Sequence, residues 1–368
     1  MRKLLIVEIE NSYLNFFTPA AIVAIGHFLP NLTGWTLGVI EWLIDHYNVE
    51  VDILLTNAII MNLSLLLACL VILLIFIPRL RVQDVDYKAV SVNGLFIVIP
   101  LFCFATVFRL LLIDLLKVFD KKIEYESPWF FICFKELDEP FLLLLFFLHA
   151  SVTSNLFAEL LFRRTIIPLM EDRGLSPFHA VILSSVGFSF LNLPNLLLHP
   201  NNPTHLFLLI SYVFFGVCAG TIYILTRNIL FPFIFHAFYF LHFYTNGLGI
   251  ALDNEVFSEI YDLLNILAAV ASLLIAIFLI WGVFYKKTSR DWINIIKKHS
   301  VPNIQRGIIG FFIFSIGLLC LQTLIERIGD LFIDKIYPEY FVFIIGVYFL
   351  AFSIPFWLTI TTEYAQDR

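Results

Sequence analysis

Across 368 residues, 60% are hydrophobic and only 14% are charged, with a mean hydropathy of +0.90. Soluble domains hold roughly 45–50% apolar and about 25% charged residues, and no water-soluble core of this length could bury so much apolar surface, so lipid must solvate much of it. The formal charge of −6 and the lack of a basic tract interleaved with aromatics exclude a nucleic-acid partner.

Apolar runs long enough to cross ~30 Å of hydrocarbon fall near 12–30, 53–78, 90–116, 140–162, 204–226, 229–250, 258–285, 306–326 and 338–360. A tenth run, 177–193, is short and carries polar residues, so it reads either as a shielded span or as a re-entrant piece. The stretches 32–45 and 128–135 are too short to span and are expected at the interface or packed on the bundle. At the start, Arg2 and Lys3 lead into an apolar stretch that Glu8 and Glu10 interrupt, so no cleavable signal peptide is expected. Cys69, Cys103, Cys133, Cys218 and Cys320 stand singly and read as small buried apolar residues.

Orientation follows from Lys and Arg in the short loops. Alternate connections carry Arg79, Arg81 and Lys88; Arg163, Arg164 and Arg173; Arg227; and Lys286, Lys287, Arg290, Lys297 and Lys298. The loops at 31–52, 194–203 and 251–257 have none. The 117–139 loop departs from this pattern, with Lys117, Lys121, Lys122 and Lys135 among six acidic residues. The pattern places both termini in the cytoplasm. In the 286–306 loop, Trp292, Ile293, Ile295 and Ile296 beside Lys297 and Lys298 read as an interfacial amphipathic turn.

Ionisable groups at membrane depth are costly and therefore candidates for function. In the fourth span Ser151, Asn155, Glu159 and Arg163 recur every four residues and share one helix face. Glu159 and Arg163 can pair there, and by spacing alone the pair is equally a satisfied intrahelical ion pair. Ser184, Phe188 and Asn192 line a face of the next run, where Asn192 alone would be an interhelical hydrogen-bonding residue. Gly216 and Gly220 form a Gly-x-x-x-Gly pair, ordinarily a close-packing seam. The seventh span carries Pro232, His236, Tyr239, Phe240, His242 and Asn246. Arg109 and Asp114 in the third span read as paired or snorkelling. His199 and His205 fall short of the three or four ligands a zinc site needs.

In their order and setting these pieces resemble the CAAX-protease and bacteriocin-processing family, also called the abortive-infection family. Its members carry Glu-Glu-x-x-x-Arg on one transmembrane helix, Phe-x-x-x-His on the next, and His-x-x-x-Asn or Asp two helices later. Here the corresponding stretches run from Ala158 and Glu159 to Arg163, from Phe188 to Asn192, and from His236 to Phe240. Gly216 and Gly220, then Thr226, Arg227 and Asn228, then Pro232 before the histidine also fit the family's pattern. The resemblance covers roughly 140–250. It implies a CAAX-protease-like core in 140–250, while the apolar runs give an all-α, polytopic transmembrane bundle of about ten helices, with N-terminal helices in 1–139 and C-terminal helices in 251–368.

The resemblance also implies a chemistry in which a glutamate and histidines activate a water against a peptide carbonyl, while an Asn and a further His position it and stabilise the oxyanion. Glu159, His236 and Asn192 would be the catalytic candidates, with Arg163, Asn155 and Tyr239 in support and no cofactor or metal. The sequence departs from the family at three positions: Ala158 stands for the presumed general base, Asn192 for a histidine, and Phe240 for the Asn or Asp. Glu159 lies about 100° around the helix from Ala158, so it could take over only in a shifted helix. Asn192 can donate a hydrogen bond but cannot accept a proton at neutral pH.

Three functions remain open. One is a degenerate member that binds a membrane-anchored peptide, a lipid or a partner membrane protein without cutting it. The second is a working intramembrane peptidase using Glu159 and His236. The third is a transporter or an assembly subunit of a membrane complex; transport would predict inverted repeats, and none is visible.

Overall fold

A computed structural model describes residues 16–27, 53–76, 92–119, 145, 148–198, 203–251, 255–285 and 304–333, and among these residues there is no strand. The expected span 338–360, the interfacial stretches 32–45 and 128–135, residues 286–303 of the 286–306 loop, His199 and both termini lie outside the described residues; 304–306 begin a helix rather than end a loop.

In chain order the helices are α1 (Phe17–His27), α2 (Ile53–Val71, extended by a π turn Ile72–Phe76) and α3 (Val92–Phe119). The fourth helix, α4, is continuous but composite. It passes from a π segment, His149–Thr153, through α-helical Ser154–Glu159 and a second π segment, Leu160–Ile166, to α-helical Ile167–Asp172. Then come α5 (Pro177–Ser189), a 3-10 turn (Phe190–Asn192), α6 (Leu193–Leu198), α7 (Pro203–Thr226), α8 (Leu230–Ala251), α9 (Glu255–Tyr285) and α10 (Ile304–Ile333). Within α3 and α7, Ile97–Leu115 and His205–Thr226 are long and apolar enough to cross a membrane. The run near 177–193, expected as a shielded span or a re-entrant piece, is helical over Pro177–Ser189 and ends in the 3-10 turn Phe190–Asn192.

Local chemistry sets the turns on either side of the core. Gly174, at φ 88°, closes α4: its N–H reaches the Glu171 carbonyl, and the Leu175 N–H reaches that of Met170. This Schellman arrangement needs a left-handed residue, which glycine supplies without a Cβ clash. Ser176 then caps α5, its hydroxyl accepting from the His179 N–H, and Pro177 occupies the first turn, where its missing donor is harmless. Between α7 and α8, Arg227 takes φ 51°, and the Asn228 side chain accepts from the Leu230 N–H.

The core is a four-helix arrangement of α4, α5, α7 and α8. The Gly-x-x-x-Gly pair is its closest seam: a Cβ on Gly216 would stand 2.8 Å from the Ser185 Cβ, and one on Gly220 would stand 2.8 Å from a Val181 methyl. Around it, α3 lies against α7, α8 and α9. Asn62 of α2 ties to α4 by accepting from the Thr153 hydroxyl at 3.0 Å. Phe17 of α1 meets Phe314 of α10 edge-on, with centroids 4.8 Å apart. The outward side of α9 presents Leu263, Ile266, Leu267, Val270, Leu273, Leu274 and Ile277, each more than half exposed. Such a surface suits hydrocarbon as its solvent.

Candidate functional site

Glu159 ends the α-helical part of α4, directly before the second π segment, and is 0% exposed. One carboxylate oxygen, Oε1, lies 2.6 Å from Nδ1 of His236 on α8. The other, Oε2, lies 3.2 Å from Nε of Arg163, one turn further along α4. Beside an ionised carboxylate, which only accepts hydrogen bonds, this contact is made by the His236 tautomer with its proton on Nδ1. Arg163 is 1% exposed and His236 2%. A carboxylate, a guanidinium and an imidazole are thus enclosed together, each compensating the burial of the next.

The enclosure is aromatic. The Arg163 guanidinium carbon sits 4.9 Å from the centroid of Phe188 and 5.9 Å from that of Phe215, within range of a cation–π attraction. The His236 ring lies 4.6 Å from Phe215, 5.0 Å from Phe240 and 6.0 Å from Phe188. Phe188 and Phe215 are buried, and Phe240 is half-buried.

The π segments hold this geometry in place. A π turn frees one carbonyl from the regular ladder and is often found at functional sites. Here the Ser184 hydroxyl of α5 donates to the Phe162 carbonyl at 2.9 Å, and the Thr165 hydroxyl donates to the Leu160 carbonyl at 2.8 Å. Arg163 and Glu159 stay in register through the widened turn, and α4 is fastened to α5 at that level.

The other expected site residues are placed differently. Asn155 is buried and folds back on its own helix, its amide donating to the Ser151 carbonyl at 2.9 Å. Asn192 ends the 3-10 turn, half-buried, and among the described residues it makes no hydrogen bond to Glu159 or His236. Tyr239 contributes packing: its ring lies 4.7 Å from Phe215 and beneath the Arg109 guanidinium at 5.6 Å. Ala158 is buried in the apolar core, so its position offers no proton-handling group. Phe215 was not a sequence candidate, since among 41 phenylalanines nothing in the sequence marks the one beneath both Arg163 and His236.

At the cytoplasmic end predicted by the loop charges, Arg227 grips Glu171 with two parallel bonds, Nη1 to Oε2 at 2.6 Å and Nη2 to Oε1 at 2.9 Å. The carboxylate so placed holds the Arg227 guanidinium above its ordinary pKa. This clamp joins the end of α4 to the α7–α8 turn. Among the described residues no group of three or more His, Cys, Asp or Glu is placed to hold a metal ion.

Residues 140–242 match the family model described as type II CAAX prenyl endopeptidase Rce1-like. No curated protein and no solved structure matches the chain. The matched residues include Glu159, Arg163, Phe188, Phe215 and His236, so the stretch that builds the cluster is similar to the CAAX endopeptidase family, and the described residues of the chain are helical.

Proposed function

We propose that this CAAX-protease-like membrane protein is a degenerate relative that binds a membrane-anchored peptide, a lipid or a partner membrane protein without cutting it. One observation carries the reading: the Glu159 carboxylate is 0% exposed, with Oε1 held by His236 and Oε2 in ion-pair contact with Arg163 at 3.2 Å but without a hydrogen bond among the described residues, in a cluster closed to solvent. A general base must present a free lone pair to a water beside the substrate carbonyl. Ala158 supplies none, Asn192 is not joined to the dyad, and a phenyl ring at Phe240 stands beside His236. Loss of a general base alone costs about 10²–10⁴ in rate. Lys and Arg in alternate loops support a multi-pass topology with both termini cytoplasmic.

A second reading, the active peptidase, draws on the same contact. A carboxylate that orients Nδ1 of an imidazole leaves Nε2 to move a proton. The two readings separate in proteoliposomes holding the full chain and a membrane-anchored fluorogenic peptide. The binding reading expects peptide retained with the protein and no product above protein-free vesicles. Product that disappears in His236→Ala overturns it in favour of the peptidase.

A further inference from the structure

The first helix lies outside the matched stretch 140–242, yet it is built into the core. From Phe16 to His27 every residue is buried, and α1 packs against α4, α5 and α10. A Cβ on Gly187 of α5 would stand 2.9 Å from a Val23 methyl and 3.3 Å from the Phe311 ring. A Cβ on Gly26 would overlap the Leu161 side chain, in the second π segment of α4, and stand 3.8 Å from a Leu191 methyl. His27, 8% exposed, donates from its ring to the Leu191 carbonyl. Leu191 is the middle residue of the 3-10 turn Phe190–Asn192, where the Leu193 N–H reaches back three residues to the Phe190 carbonyl. The same three-residue step from the Leu191 carbonyl falls on Pro194, which has no N–H to give. A buried carbonyl needs a donor, and His27 supplies the one that Pro194 lacks.

We infer that His27 is a positioning residue for the Glu159 cluster: by holding the Leu191 carbonyl it keeps the turn in its 3-10 form and Asn192 turned away from His236. In an unbroken α-helix Asn192 would follow Phe188 by four residues on one face. Phe188 marks the face of the cluster, its ring 6.0 Å from that of His236 and 4.9 Å from the Arg163 guanidinium carbon. A 3-10 helix advances about 120° per residue against about 100° in an α-helix, so each 3-10 step carries the next side chain about 20° further round from that face. Without His27, the Leu191 carbonyl regains a donor by rewinding to the α-helical register, in which the Asn195 N–H is its partner. That rewinding returns Asn192 toward Phe188 and His236.

The test is nitrogen NMR of the full chain in phosphatidylcholine nanodiscs with isotope-labelled histidine, the His236 signals being those lost in His236→Ala. With its proton on Nδ1 toward Glu159, the His236 ring has Nε2 as its acceptor. In His27→Ala the Asn192 amide is expected to donate to Nε2 and shift that resonance upfield, and the shift should vanish when Asn192→Leu is added. Two variants should keep the parent resonance. One is His27→Gln, whose amide donates in the imidazole's place; the other is His27→Ala with Pro194→Ala, which restores an N–H three residues after Leu191. An unchanged resonance in folded His27→Ala overturns the inference, as does a shift that persists without the Asn192 amide or that Pro194→Ala does not reverse. If His27→Ala alone fails to fold, the double variant with Pro194→Ala decides: a folded protein with the parent resonance supports the role of His27, and anything else overturns it. Peptide product in the proteoliposome assay would overturn the binding reading and leave the His236 resonance to report on His27 by itself.

Discussion

His236 Nδ1 stands 2.6 Å from Glu159 Oε1 although the residues are 77 positions apart, and the same carboxylate holds Arg163 from its other oxygen. Removing the middle member should therefore be worse than removing the charges together. Glu159→Gln leaves a buried guanidinium uncompensated and is expected to cost ~3–5 kcal/mol. Glu159→Leu with Arg163→Met, which replaces the pair by apolar volume, should cost less. Reversible unfolding in mixed micelles ranks the two, and the reverse order would mean that the pair is not buried as a unit.

Ser184 and Ser185 are neighbours with different duties. Ser184 crosses to the Phe162 carbonyl in the π segment, while Ser185 bonds only within its own helix, to the Val181 carbonyl at 2.6 Å. Ser184→Ala should lose ~0.5–1.5 kcal/mol, the usual worth of such a bond. Ser185→Ala should stay within about 0.5 kcal/mol of the parent. Equal losses in the same unfolding assay would remove the role given to Ser184 in fastening the widened turn.

Arg227 combines a salt bridge with a left-handed backbone, φ 51°. Both substitutions Arg227→Ala and Arg227→Gly forfeit the clamp on Glu171, but only glycine relieves the backbone. Glycine should therefore be the milder change by ~1 kcal/mol. The clamp itself is partly exposed, at 32% for Arg227 and 17% for Glu171, so its share should shrink with added salt while the glycine–alanine gap does not. Melting curves of the two variants at low and high salt check both statements.

One substitution at two glycines should have opposite signs. Gly216→Ala pushes a methyl to within 2.8 Å of the Ser185 Cβ and 2.9 Å of its Cα, where backbone must move; a loss of ~1–3 kcal/mol is expected. A Cβ on Gly317 meets nothing within 4 Å, and alanine there should gain up to ~1 kcal/mol through helix propensity. Thermal unfolding of the two single variants gives the comparison, and a stabilised Gly216→Ala would mean that the α5–α7 seam is looser than described.

The sequence by itself determined the solvent and the class. A composition of 60% hydrophobic and 14% charged residues puts much of the chain in lipid, and its long unbroken apolar runs call for helices, which satisfy each backbone polar group within their own segment. Local rules also sufficed for Glu159 and Arg163, which lie a turn apart on one helix, and for the Gly216 and Gly220 seam. The sequence also marked His236 and the family it resembles, because these are patterns of residue type and order. Only the tertiary structure decided which partners meet. The union of His236 with Glu159, the placing of Phe215 under both His236 and Arg163, and the lack of a hydrogen bond from Asn192 to Glu159 or His236 all depend on how α4, α5, α7 and α8 cross. The two π segments of α4 were likewise invisible, since a one-residue widening of a helix leaves no signature in a uniformly apolar sequence. Here the donors for the freed carbonyls come from the packed fold itself, with the Ser184 hydroxyl on the neighbouring helix satisfying one of them.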